Sequence, residues 1–360
     1  MTRKFPPAKG GMENYAFDLY TSLNKTADIK LVKWGRSSSR LTMVLFVVPY
    51  ICVKSFFVLL SGGVDVVHSQ DGVLAPVGLF LSKLFGKHYS VVIHGLDTTY
   101  KNKIFQTINL WAIKKAEVVF CISQAAADET IKRGVDASKT MVIPLGITDD
   151  KFMDRTKARK QLEKEVGLKS DAAVLLTVGR LVERKGVAWF VENVMPMLIK
   201  KYPNVIYLIV GGGENEAKIK TLISSNKLEN HVKMLGKVPD EALPMLYNGA
   251  DVFVQPNIVV PGDMEGFGRI LLEASLCELP VVAAGIEGIK DAIKDGKNGR
   301  LVESEDVDAF IKQIGAFISD NKTARKFGTV SREYSMEHYS WDNIVQDYLK
   351  GFERITKTDK

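Results

Sequence analysis

Cysteine is scarce in this chain: three residues in 360, Cys52, Cys121 and Cys277, far apart within apolar runs. They cannot all pair and they make no metal-ligand spacing. A disulfide scaffold and a cysteine-built metal site are thereby excluded, and buried thiols in a reducing cytosol are expected. The start of the chain lacks the layout of a cleaved signal peptide, and no long stretch has the composition of a disordered segment. A dinucleotide fingerprint is also missing. Gly211-Gly212-Gly213-Glu214 follows a strand pattern, but Gly-x-Gly-x-x-Gly is not met. Asp306-Val307-Asp308 matches an Asp-x-Asp metal motif, yet it stands at an expected helix start, where aspartate is favoured as a cap. No catalytic metal and no other cofactor is therefore expected. Acid is short in the first half. Residues 1–150 hold 18 Lys and Arg against 12 Asp and Glu, while the remaining 210 hold 31 against 30. Such a bias suggests an anionic partner. No aromatic-rich basic stripe accompanies it, so nucleic acid is set aside and an anionic membrane face fits better.

The hydrophobic share, 46%, is enough for two ordinary cores, and the length suggests two domains at ~150 residues each. A strand is expected at 29–34. An apolar run at 41–60 follows, approaching the ~20 residues that span a bilayer but interrupted by Pro49 and Lys54. Three readings stand for it: a buried or partly exposed helix of an α/β layer, an interfacial membrane helix, or a span. Strands and helices then alternate, with strands at 65–68, 89–94, 117–123 and 140–143 and helices at 74–85 and 102–115. A charged linker and short helix, 157–165, lead to a second alternation with strands at 174–178, 205–210, 232–235, 251–255, 280–284 and 299–302. Helices follow from Ser304, the last at 341–355. This pattern predicts parallel doubly wound sheets, whose ligands gather at the carboxyl ends of strands. His68, His94-Gly95-Leu96-Asp97 and Ser123 stand at such ends.

Residues 263–275, Asp-Met-Glu-Gly-Phe-Gly-Arg-Ile-Leu-Leu-Glu-Ala-Ser, join a glycine loop to a helix. Gly266 and Gly268 allow close approach of backbone to a ligand. The free N–H groups of a helix start suit a phosphate, and Glu265 and Glu273 suit sugar hydroxyls. Gly179-Arg180-Leu-Val-Glu-Arg-Lys185-Gly186 sets two cations just beyond a strand, a pattern that can bind a diphosphate. Arg184 is the weaker participant on this reading.

The run Pro261-Gly262-Asp263-Met264-Glu265-Gly266-Phe267-Gly268, with Glu265 and Glu273 spaced as Glu-x7-Glu, resembles the retaining glycosyltransferases of family GT4. The likeness extends over nearly the whole chain. It implies the GT-B architecture, two Rossmann-like domains facing a cleft: an acceptor-side domain at 1–152, a nucleotide-sugar domain at 153–335, and a helix at 336–360 crossing back to the first. The first strand of such a fold is short here, with only Met1 to Phe5 before the Pro-Pro and Gly10-Gly11 loop. The resemblance implies a metal-independent, retaining transfer of a hexosyl group from a UDP- or GDP-linked sugar to a glycan or lipid-linked acceptor. The protein would be cytoplasmic and peripheral on the inner face of the membrane. Arg180, Lys185 and the N–H groups near Arg269 and Ile270 would hold the diphosphate, with Gly11 and Gly179 beside it. Glu273 would hold the ribose, Glu265 and the backbone of Gly266, Phe267 and Gly268 the sugar, and the Lys237-Val238 turn the nucleobase. His94 would contact the sugar, and His68, Gln70, Asp97 and Ser123 would line the acceptor side. Pro144-Leu145-Gly146 stands where the family has Pro-Asn-Gly. An epimerase or hydrolase of the same fold, and a non-catalytic nucleotide-sugar binder, are the alternatives.

Overall fold

The computed structural model describes residues 1–8, 10–36, 39–95, 97 and 103–357. The chain forms two compact units, Met1–Thr148 with Tyr339–Lys360, and Asp149–His338.

In the first unit α1 (Gly11–Leu23) and the apolar α2 (Val48–Leu60) precede four strands: β1 (Val66–Ser69), β2 (His88–Ile93), β3 (Val118–Cys121) and β4 (Thr140–Val142). Between them run α3 (Ala75–Phe85), α4 (Lys103–Lys114) and α5 (Gln124–Lys132). The sheet is parallel, in the order β1-β2-β3-β4. Its central strands β2 and β3 are buried on both sides, as the middle of a parallel sheet requires, while β4 is half-buried to exposed. Side chains alternate between two faces. Tyr89, Val91, Ile93, Val119 and Cys121 pack with Leu79, Ala112, Ile113 and Ala126 from the helices on one side. On the other side Phe120 meets Tyr348 and Phe352 of the final helix α11 (Trp341–Thr356). Gly351 makes that approach possible, because a Cβ there would lie 2.4 Å from the Phe120 ring. Gly146 acts likewise under Trp341, at 2.4 Å.

The strand expected at 29–34 is not formed. A parallel bridge of Thr2 with Lys33 stands in its place, and Gln70 N donates to the Met1 carbonyl at 3.0 Å. Residues 1–3 therefore lie between this segment and β1. Leu96, and Asn102 at the expected start of α4, lie outside the described residues.

The second unit has six parallel strands: β5 (Ala173–Val178), β6 (Val205–Val210), β7 (Val232–Gly236), β8 (Val252–Gln255), β9 (Val281–Ala284) and β10 (Arg300–Val302). Their order is β10-β9-β8-β5-β6-β7, with β5 and β8 at the centre. Leu175, Tyr207, Ile209, Val254 and Val282 pack with Phe190, Leu198, Phe310 and Ile314 in its core. The helices that matter below are α6 (Arg155–Val166), α7 (Glu216–Ser225), α8 (Arg269–Leu276) and α9 (Val307–Ser319).

Candidate active site

The loops after β5, β6, β8 and β9 all leave the carboxyl edge of the second sheet. Three glycines after β6 turn out to serve backbone packing rather than a dinucleotide. A Cβ on Gly211 would lie 1.8 Å from the Gly179 carbonyl oxygen, and one on Gly213 would lie 2.4 Å from that of Leu181. The loops after β5 and β6 are thus locked together. Gly186, at φ 65°, passes the Pro256 carbonyl with no room for a Cβ. That close passage sets the turn Glu183–Lys185 beside the loop after β8.

Here the structure corrects the role of Arg184. Its guanidinium is buried and spans two carboxylates, donating from Nη1 to Glu265 Oε2 at 2.6 Å and from Nε to Asp263 Oδ1 at 3.1 Å. Lys185 Nζ, also buried, meets the same Glu265 Oε2 at 2.5 Å, and Asn257 Nδ2 donates to it at 3.1 Å. Three donors converge on one oxygen, and Oε1 takes no hydrogen bond from the described residues. Burial alone would raise the Glu265 carboxyl, but Lys185 and Arg184 outweigh it and hold the group at about 2. Burial lowers the Lys185 ammonium against the pull of Glu265. The Glu265 N–H donates to Glu287 Oε2 at 2.5 Å. Glu287 holds a left-handed φ of 46° to make that bond. Arg180, in contrast, is exposed and has no ion pair among the described residues.

Phe267 is buried in the core, so the 266–268 segment presents backbone alone. Gly268, at φ 85°, caps α8 without a side-chain bond. The first turn of that helix, from Arg269 and Ile270, thus receives no cap from its own N-cap residue. One turn on, Glu273 accepts from Tyr247 OH at 3.2 Å, with Arg269 Nε at 3.4 Å and Lys151 Nζ at 4.0 Å. Lys237 is exposed and Val238 half-buried on the turn after β7, with the Lys237 stem against the Gly212 loop.

The first unit has its own polar cluster at a strand edge. His94 N donates to Asp97 at 2.7 Å, and its Nε2 bonds the Gln70 carbonyl at 2.9 Å, which fixes the proton there in the neutral ring. Burial raises the Asp97 carboxyl. Gln70 is buried and its Oε1 has no hydrogen-bond partner among the described residues. Asp71 takes Arg3 at 3.1 Å and caps the turn Gly72–Leu74. Lys4 pairs with buried Glu13 at 2.9 Å. A Cβ on Gly11 would meet nothing within 4 Å. Two expected acceptor-side residues belong elsewhere. His68 precedes the last residue of β1, bonds Ser90 at 2.8 Å and is walled by Phe120, Tyr348 and Phe352. Burial pushes its ring down to about 3, so it stays neutral. Ser123 caps α5, accepting from Ala126 N.

Among the described residues no three His, Cys, Asp or Glu are grouped to hold a metal. Asp306 caps α9 through a 2.9 Å bond from Ala309 N. Sequence reasoning missed Lys151, Tyr247, Asn257 and Glu287. Each lies outside the motifs, and only the fold carries it to the two glutamates.

The two parallel-sheet α/β units match the GT-B fold of glycosyltransferases. Family profiles agree: the one described as Glycosyl transferases group 1 matches residues 158–334, and Glycosyltransferase Family 4 matches residues 50–151. The chain belongs to the group 1 glycosyltransferases and is an enzyme of that kind. It is 28% identical over 361 residues to the GDP-mannose-dependent alpha-(1-6)-phosphatidylinositol monomannoside mannosyltransferase of Mycolicibacterium smegmatis, covering 95% of this chain and 94% of that one. It is 27% identical over 302 residues to the Escherichia coli UDP-Gal:alpha-D-GlcNAc-diphosphoundecaprenol alpha-1,3-galactosyltransferase, covering 78% and 76%. The Anabaena HepE structure with UDP and glucose shares the fold, with a TM-score of 0.76, 20% identity and 97% of each chain covered.

Proposed function

We propose that this enzyme transfers a hexosyl group from a UDP- or GDP-linked sugar to a glycan or lipid-linked acceptor, with retention at the anomeric carbon and without a metal ion. The observation that supports this reading most is the convergence of Arg184, Lys185 and Asn257 on one oxygen of Glu265, beside a helix start with no side-chain cap. Arg180 and the N–H groups of Arg269 and Ile270 stabilise the charge that grows on the leaving diphosphate. Lys185 reinforces them from below. Glu265 offers Oε1 to a sugar hydroxyl. A carboxylate held at about 2 is a weak base, so Glu265 binds and does not take the acceptor's proton. That proton passes to an oxygen of the departing phosphate, on the same face from which the acceptor attacks. Glu273, steadied by Tyr247, Arg269 and Lys151, holds the ribose. His94, with Nε2 committed to Gln70, keeps Nδ1 for a polar ligand at the strand edge of its own unit.

The relative that shares 95% of this chain takes GDP-mannose and a phosphatidylinositol mannoside, so GDP-mannose and a lipid-borne acceptor come first in the test. UDP-, GDP- and ADP-sugars are scored by thermal shift, then by turnover in EDTA with and without acceptor. One donor should raise the melting temperature and be consumed only with acceptor. Free hexose released regardless of acceptor would mark a hydrolase or epimerase instead, and binding without turnover would mark a binding protein.

A further inference from the structure

We propose that the outer face of α2, with the adjoining edge of α3, docks the first unit onto an anionic phospholipid bilayer, α2 lying in the plane of the interface. Residues 43–60 form an 18-residue helical window of mean hydropathy 2.3, yet only 22% of it is buried. Its two sides differ in what they touch. Val47 and Ile51 pack with Val32 and Leu74, and Leu59 packs with Val67, Val77 and Leu81. This inner stripe is committed to the sheet's helical layer, and crossing a bilayer would strip those contacts away. The outer stripe is Tyr50, Val53, Phe57 and Leu60, at helical spacing, with Phe57 63% exposed. Leu41, Val44, Leu45 and Phe46 extend it upstream, and Leu41 is 69% exposed. The neighbouring α3, in contact through Phe56 and Phe85, adds exposed Phe80 and Leu84. Large apolar side chains in this number exceed the isolated exposure normal on a soluble surface.

Charge selects the occupant. Between Asp28 and Asp65 the chain has no acidic residue, and it carries Lys30, Lys33, Arg36, Arg40 and Lys54. Lys54 stands exposed beside the outer stripe, its ammonium 5.8 Å from the Tyr50 ring. Lys83 is exposed on α3. At a lipid surface the lysine stems lie along the apolar side chains while their ammonium groups reach phosphate. A second copy of the chain fits less well, because this stretch of 28–65 has no interior acid to receive Lys54 from its partner.

The test reads binding alone and does not depend on the transfer chemistry. Full-length protein is sedimented with phosphatidylglycerol–phosphatidylcholine vesicles and with phosphatidylcholine vesicles, at low and physiological salt. Light scattering without lipid reports self-association. The account expects binding to anionic vesicles that weakens with salt. Lys54→Gln should cost about fivefold, and Phe57→Asp with Leu60→Asp roughly tenfold or more. These side chains are exposed, so circular dichroism melts should remain at the wild-type value. No anionic-vesicle binding at low salt, binding indifferent to the double variant, or a lipid-free dimer that the double variant dissolves would each overturn the proposal.

Discussion

Glu265 is the counter-charge of two buried cations and, on the proposed function, a ligand group as well, and its removal tests both. An isosteric Glu265→Gln change, judged by shape, should leave stability alone. The structure argues otherwise, because the change leaves Arg184 and Lys185 buried together without their partner. Breaking such a pair typically costs ~3–5 kcal/mol, so a clear fall in melting temperature is expected by calorimetry. The pH dependence has a definite sign. The folded carboxyl sits at about 2, below its ordinary 4.5. Its stabilisation is complete above about 4.5 and fades as pH falls toward 2. Melts between pH 6 and 2.5 should show that loss in the wild type and a shallower one in Glu265→Gln; equal slopes would refute the pairing. Arg180, exposed and without an ion pair among the described residues, predicts the opposite separation. Arg180→Ala should leave the melt unchanged and weaken nucleoside diphosphate binding by ~1.5–3 kcal/mol, as calorimetric titration can measure. Local spacing singled out Glu265, Glu273, Arg180 and Lys185, and the structure sets Lys185 against Glu265. Spacing did not single out Arg184, because it does not say that both adjacent cations turn inward onto Glu265. His68 misled for a related reason: the strand end was placed one residue early, and Phe352, which walls the ring, comes from the far end of the chain.

At the scale of elements, the strands were legible because buried parallel strands are short apolar runs with turns between them. Most bounds moved by a residue or two. The segment at 29–34 has the same apolar character and yet forms only a bridge, Lys33 with Thr2. The loop after β9 was not legible as part of the site. Gly288 there approaches Gly266 so closely that a Cβ would sit 2.1 Å from the Gly266 carbonyl oxygen. Gly288→Ala should therefore push the 265–268 loop, costing roughly 1–3 kcal/mol of stability and weakening donor binding. Gly11→Ala, with open space around it, should leave the melt unchanged. Thermal melts beside donor titrations decide both, and a silent Gly288→Ala would mean the loop is not seated as described.

For the whole molecule, alternation of strands and helices was enough to foresee two parallel-sheet units, and the motif resemblance to foresee the GT-B class. The donor's base, the sugar and the acceptor were not foreseeable, since on the family resemblance the Lys237-Val238 turn would meet the base through backbone groups. Turnover should persist in EDTA, and Asp306→Asn should be silent because asparagine caps a helix as well as aspartate. Activity abolished by a chelator and restored by Mn²⁺ would contradict the metal-free account. The most direct test of the donor site is steady-state kinetics of Glu265→Gln and Glu273→Gln, each well below its own melting temperature. The ribose does not react, so Glu273→Gln should mainly raise KM. Glu265 lies where geometry and charge change as the glycosidic bond breaks, so Glu265→Gln should lower kcat roughly tenfold or more. Full activity in both variants would contradict the assignment of residues 263–275 as the donor site.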